Sequence, residues 1–144
     1  IELFTRGLQA APDNKMALVS RGAAYLKLKD PQRALKDFDR AITVAPDYAR
    51  AYHLKGLAHE QVGDTEAALT LFTRAIEVDP AYGAAYYSRA TLFSRLGMEE
   101  SAFEDIQTVT AITATNLEAY ANENNVWHTQ HMRVEDALET ELMR

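Results

Sequence analysis

Apolar side chains along the middle of this chain recur on two superimposed spacings. Leu18, Gly22 and Tyr25 stand at i, i+4, i+7, as do Tyr52, Gly56 and His59, and then Tyr86, Ala90 and Phe93. That is one face of a helix with 3.6 residues per turn. A second set, Ala34, Phe38, Ala41 and Ile42, returns as Ala68, Phe72, Ala75 and Ile76 and predicts a second helix after each of the first two. Asp30 before Pro31 reads as an N-cap with proline at the first helical position, and Asp64 is placed to cap the equivalent helix ahead of Glu66. Pro46 and Pro80 push the residues before them out of the helical region and close each pair. Nothing alternates with period two over a useful length, so no sheet is expected.

The longer spacing is 34 residues. It superimposes Gly22, Gly56 and Ala90; Tyr25, His59 and Phe93; Ala34, Ala68 and Ala102; Phe38, Phe72 and Ile106; Ala41, Ala75 and Val109; and Pro12, Pro46 and Pro80. A fixed period of this length signals repeated supersecondary units. Glycine inside a helix costs about 1 kcal/mol relative to alanine, so Gly22 and Gly56 are expected where neighbouring helices approach closely, beside Tyr25 and Phe38.

The order of large residue, small residue, aromatic, alanine, aromatic, alanine and proline resembles the tetratricopeptide repeat, a helix-turn-helix unit. The resemblance covers 15–48 and 49–82, and more loosely 83–116, where Ala90 replaces glycine, Ile106 the aromatic, Val109 alanine and Ala114 proline. It implies an all-α fold, an α-solenoid in which helical hairpins stack into a right-handed superhelix. Residues 1–14 carry Phe4, Gly7 and Pro12 where Phe38, Ala41 and Pro46 stand, and are expected to be the second-helix remnant of a preceding repeat in a longer array. Residues 117–144 are expected to form a degenerate last helical pair or C-terminal cap, because Asn124 and Asp136 break the pattern that Tyr120 and Trp127 keep.

Composition narrows the chemistry. The 144 residues include no cysteine, which removes disulfides, thiolate zinc sites and cysteine nucleophiles. The formal net charge is −6, divided as +1 over residues 1–72 (ten basic, nine acidic) and −7 over residues 73–144 (five basic, twelve acidic). The acidic half repels nucleic acid and anionic membranes, and no apolar run approaches the roughly 20 residues of a spanning helix, so neither nucleic-acid binding nor membrane insertion is expected. No phosphate loop, nucleophile elbow or complete His-Glu-x-x-His occurs, since Gly63 stands where the second histidine belongs after His59 and Glu60. The chain is expected not to be an enzyme and to need no cofactor. His128, His131 and Glu135 have zinc-ligand spacing, but two nearby histidines on a polar terminal helix are usually just solvated, and no metal site is expected.

In the family the resemblance points to, the first helices line a concave face where peptides bind. Taking Leu18 as the buried reference, Met16, Val19, Ala23 and Leu26 lie roughly 80° to 160° around the helix and are expected to face that groove rather than share the burial. Their equivalents are Arg50, His53, Leu57 and Glu60, then Ala84, Tyr87, Thr91 and Ser94, then Glu118, Ala121, Asn125 and His128. The alternative for Met16, Val19 and Leu26 is packing against a preceding helix or a second copy. Family members that clamp the terminal carboxylate of heat-shock chaperones use lysine, asparagine and arginine where this chain has Val19, Ala23, Leu54, Ala84 and Ser88, so a chaperone clamp is disfavoured. Arg6, Arg40 and Arg74 recur at one repeat position and are expected to make surface or inter-unit polar contacts. The expected function is a non-enzymatic interaction module that binds a peptide or helix of a partner protein. The alternative is a structural scaffold that self-associates or docks flanking domains of its parent chain.

Overall fold

The structure, a computed structural model, describes the backbone of residues 1–124 and side chains up to residue 119. Seven helices fill the described residues: α1 (Glu2–Ala10), α2 (Lys15–Lys27), α3 (Pro31–Val44), α4 (Ala49–Gln61), α5 (Thr65–Val78), α6 (Gly83–Arg95) and α7 (Glu99–Asn124). No strand occurs among the described residues. The three hairpins α2–α3, α4–α5 and α6–α7 make the most extensive contacts, α3 packs on α4 and α5 on α6, and α2 also touches α4 directly. This is an all-α solenoid.

Local chemistry fixes each hairpin. Asp30 and Asp64 accept hydrogen bonds from the backbone N–H groups of Arg33 and Ala67, and Asn14 caps α2 through Ala17 N–H. The turn between the two helices of each unit needs one left-handed residue. Gly63 and Gly97 supply it at φ 83° and 78°, whereas the first unit uses Lys29 at φ 59°. A side chain is strained there by about 1–2 kcal/mol. Lys29→Gly is therefore expected to raise stability by about 1 kcal/mol in chemical denaturation; a loss would mean that Lys29 contributes more through contacts than its backbone costs. Between units, the hydroxyls of Tyr52 and Tyr86 donate to the carbonyls of Pro46 and Pro80 at 2.7 and 3.0 Å, tying each incoming first helix to the turn before it.

The core is a row of clusters instead of a centre. Leu8, Leu18, Val19, Leu26, Ala34, Phe38 and Ala41 are buried together with Ala51 and Ala58 of α4; Ala49, Tyr52, Ala75 and Ala85 join the second unit to the third, as do Ala68, Phe72 and Leu92. Each cluster spans adjacent hairpins, so stability is set by neighbours. Phe38 and Phe72 are fully buried against Gly22 and Gly56: a Cβ on Gly56 would lie 2.5 Å from Phe72 Cε1, and one on Gly22 would be equally obstructed by the Phe38 ring.

Both aspartates buried in the stack are paired, whereas His59 Nδ1 is buried without a hydrogen-bond partner among the described residues. Arg21 donates through Nε and Nη2 to both carboxylate oxygens of buried Asp37 at 2.8 and 2.6 Å, and through Nη1 to Thr5 Oγ1 of α1 at 3.3 Å. Two units later Arg89 repeats the arrangement with Asp105 at 2.8 and 2.7 Å and Thr73 at 3.3 Å. The middle unit differs: Leu71 occupies the aspartate position, and Lys55 reaches back 2.8 Å to Asp39 of α3. The Asp37 hydrogen bond is also what raises the Arg21 pKa above its ordinary value.

One boundary differs from the sequence reading. α7 runs unbroken for 26 residues through the expected unit end at residue 116. Ala114 stands where Pro46 and Pro80 end the earlier second helices, and without proline nothing removes a helix hydrogen bond there. Most of the expected last pair, including Trp127, lies outside the described residues.

Candidate partner-binding surface

The first helices α2, α4 and α6 carry the residues that sequence spacing assigned to the groove, and the structure divides them into two groups. Met16 is 63% exposed and Tyr87 61% exposed; Thr91 and Ser94 are exposed, and Ala23, Arg50, Leu57 and Glu60 are half-buried. Val19, Leu26 and His53 do not belong with them, being 0%, 7% and 8% exposed. The expectation that Val19 and Leu26 escape burial is wrong for a physical reason. A first helix has two packed faces, one against its own second helix and one against the next first helix. Val19 and Leu26 fill the latter against Ala51 and Ala58. The covering helix is the one that follows, α4, and not a preceding helix or a second copy.

Two open hollows border the exposed residues, the second of them on the side of the third unit that corresponds to the stacking face of the earlier units. One of about 400 Å³ sits between α2 and α4 and is bordered by the remaining edge of Leu26 with Lys27, Lys29, Leu57, Glu60 and Gln61. The other, of about 490 Å³, lies on α6 and α7, where Tyr87, Thr91 and Ser94 meet Arg95, Phe103 and Ile106. Phe103 and Ile106 lie outside the set expected from sequence, which draws on the first helices alone. Burial along the array explains their exposure: Phe38 and Phe72 are 0% exposed but the equivalent Ile106 is 41% exposed, since no described helix stacks on the third unit as α4 does on the first.

The joint between α4 and α6 is made by paired polar side chains, whereas in that between α2 and α4 Val19 and Leu26 pack against alanines and Gln61 Nε2 donates to the Leu26 carbonyl at 2.9 Å. His53 Nε2 lies 2.8 Å from Ser88 Oγ, and Arg95 pairs with Glu60. The His53 ring also packs against Phe72 and edge-on to Tyr82, with both centroids 5.6 Å away. Burial, aided by the charge of Arg50, lowers the His53 pKa from 6.5 to about 4. Burial raises the Tyr82 pKa, and Arg50 partly offsets that rise. Between pH 6.5 and 4 the unfolded chain therefore binds a proton that folded His53 refuses. Stability is expected to be complete above pH 6.5, to fall by on the order of 2–3 kcal/mol as the pH drops to about 4, and to level off below. Urea midpoints at pH 7 and pH 5 test this; a His53→Gln variant with the same loss would assign the effect elsewhere.

Of the recurrent arginines, Arg40 pairs with Asp13 across the turn before α2, while Arg6 and Arg74 pair with Glu2 and Glu77 on their own helices. Among the described residues no three His, Asp or Glu side chains gather as metal ligands, and no helix is long and apolar enough to cross a membrane. His128, His131 and Glu135, like Asn125, lie outside the described residues.

Two tetratricopeptide repeat profiles match the chain, one over residues 15–81 and the other over residues 53–116. The chain belongs to the tetratricopeptide repeat family. No curated protein matches it by sequence. Among solved structures it is similar to a crystal structure of MamA, at 25% identity and TM-score 0.66, covering 81% of this chain and 68% of that one. MamA from residue 41 to the end, from Desulfovibrio magneticus RS-1, is 26% identical with TM-score 0.68, covering 79% and 64%. The second tetratricopeptide domain of Spaghetti (RPAP3), bound to the HSP90 peptide SRMEEVD, is 25% identical with TM-score 0.63, covering 78% of this chain and 99% of that domain. The present chain thus spans 64% to 68% of these two MamA chains. Tetratricopeptide repeat proteins are in general non-enzymatic, and this one is a protein-interaction module.

Proposed function

We infer that the tetratricopeptide array binds a peptide segment of another protein across the first-helix face of α4 and α6. The observation that carries this reading is the hollow beside Tyr87, where an exposed aromatic on α6 meets Phe103 and Ile106 of α7. Exposed apolar surface rimmed by Thr91, Ser94 and Arg95 is the combination that recognition surfaces use. Met16, Ala23, Arg50, Leu57 and Glu60 extend the same track toward α2. The solved Spaghetti domain, whose peptide is part of its title, supports a peptide as the class of ligand. A terminal-carboxylate clamp remains disfavoured on this chain, because Val19 is buried and Ala23, Leu54, Ala84 and Ser88 provide no cation. Titration with the peptide SRMEEVD tests that point directly, and tight binding would reverse it.

The wider reading is tested by selecting end-capped peptides from a display library on the intact chain and measuring their affinity for variants. Tyr87→Ala and Leu57→Ala are expected to weaken selected peptides about tenfold or more, while Glu66→Ala on α5 leaves them unchanged. Equal binding to all three variants would place the site elsewhere. Self-association is the second reading, favoured by the same uncovered Phe103 and Ile106. Light scattering separates the two: mass that rises with concentration, and peptide binding that is absent at every concentration, would favour the scaffold.

A further inference from the structure

Every arginine but one among residues 1–119 is held by a carboxylate. Buried aspartates hold Arg21 and Arg89, Glu60 holds Arg95, Asp13 holds Arg40, and the other three pair with acids three or four positions away. Arg50 has neither an ion pair nor a hydrogen bond among the described residues, yet it is half-buried on α4. A guanidinium partly removed from water without a partner carries an uncompensated desolvation cost.

No carboxylate among the described residues comes within ion-pair distance of Arg50. Neighbouring His53 is neutral near pH 7 and is engaged with Ser88, and the positions equivalent to Arg50 in the flanking units are Met16 and Ala84, neither of them charged. Ala84 itself is exposed. Resting on the groove reading above, we propose that Arg50 is a carboxylate anchor, which pairs with an aspartate or glutamate side chain inside a partner segment lying across α4 and α6.

An internal side chain is favoured over a chain terminus by position. Arg50 stands on the middle of three first helices, with surface continuing toward Ala23 on one side and Tyr87 on the other, so a bound segment runs past it both ways. A single unpaired guanidinium matches one carboxylate, which it can hold bidentately. A phosphate dianion would call for further cations, and the equivalent positions on the flanking first helices, Met16 and Ala84, supply none.

The experiment is selection of end-capped random dodecapeptides on the intact chain and on Arg50→Ala, Arg50→Lys and Arg50→Glu, with affinities of the recovered peptides measured by fluorescence anisotropy. The native chain is expected to enrich Asp or Glu at one fixed register. Arg50→Ala is expected to lose that enrichment and to bind the acidic peptides about tenfold or more weakly, with partial recovery in Arg50→Lys and enrichment of Lys or Arg at the same register in Arg50→Glu. If peptides are enriched without an acid, or keep their acid preference and affinity with Arg50→Ala, the anchor is wrong while the groove stands, provided Tyr87→Ala still weakens them. If Tyr87→Ala and Arg50→Ala both leave binding unchanged, or nothing is enriched, groove and anchor fall together. Enrichment of free-ended or phosphorylated peptides in parallel libraries, with no acid preference in the capped one, would also overturn the proposal.

Discussion

Asp37→Ala is expected to cost about 3–5 kcal/mol in urea denaturation, toward the lower end because Arg21 keeps about a fifth of its side chain in water. The substitution removes the acceptor of two charge-assisted hydrogen bonds and leaves the guanidinium with Thr5 Oγ1 alone. An exposed pair would contribute well under 1 kcal/mol, so a loss below 0.5 kcal/mol would show that Arg21 and Asp37 behave as surface charges. The chain contains its own alternative solution. In the middle unit a lysine at the Arg21 position pairs with an acid on the preceding second helix, and leucine replaces the aspartate. Transplanting that set as Thr5→Asp, Arg21→Lys and Asp37→Leu should recover most of the loss of Asp37→Leu alone, since the buried charge again has a partner.

Gly22→Leu is expected to cost about 3 kcal/mol or more, the upper end of the range for overpacking. Even the first carbon of the new side chain meets the ring of Phe38, which is fully buried and has no room to move. The gain in helix propensity, about 1 kcal/mol, is too small to offset the clash. Because each hairpin leans only on its neighbours, amide exchange should quicken most in α2 and α3 and least in α6 and α7. The third unit shows how the clash can be relieved: Ala90 occupies the glycine position and Ile106 the phenylalanine position. Gly22→Ala with Phe38→Ile should therefore be more stable than the sum of the two single changes predicts. Strict additivity would mean that these positions do not share a seam.

That coupling illustrates how much was legible beforehand. The 34-residue register anticipated the three described hairpins and both aspartate caps, because proline, aspartate and glycine act through local backbone geometry that a single sequence displays. Ala90 and Ile106 were visible as departures from the pattern, but nothing in the sequence alone said that they compensate one another. Val19, Leu26 and His53 were misplaced because a helical wheel drawn on one hairpin contains no next hairpin. The signal was present as large residues on α2 opposite Ala51 and Ala58 on α4, and reading it required the direct contact between α2 and α4. The Arg21–Asp37 and Arg89–Asp105 pairs share a separation of 16 residues. They recur at twice the repeat length, a period that skips the middle unit. That Arg50 has no partner among the described residues is not a sequence property at all, since it depends on where every nearby carboxylate goes.

The first-helix face is the one expected to meet a partner. A photoreactive benzophenone amino acid placed at Tyr87 on α6, and separately at Glu66 on α5, tests this when each labelled chain is irradiated with a selected capped peptide. Efficient capture from position 87 and none from position 66 is the predicted result. Capture from position 66 with none from position 87 would contradict it.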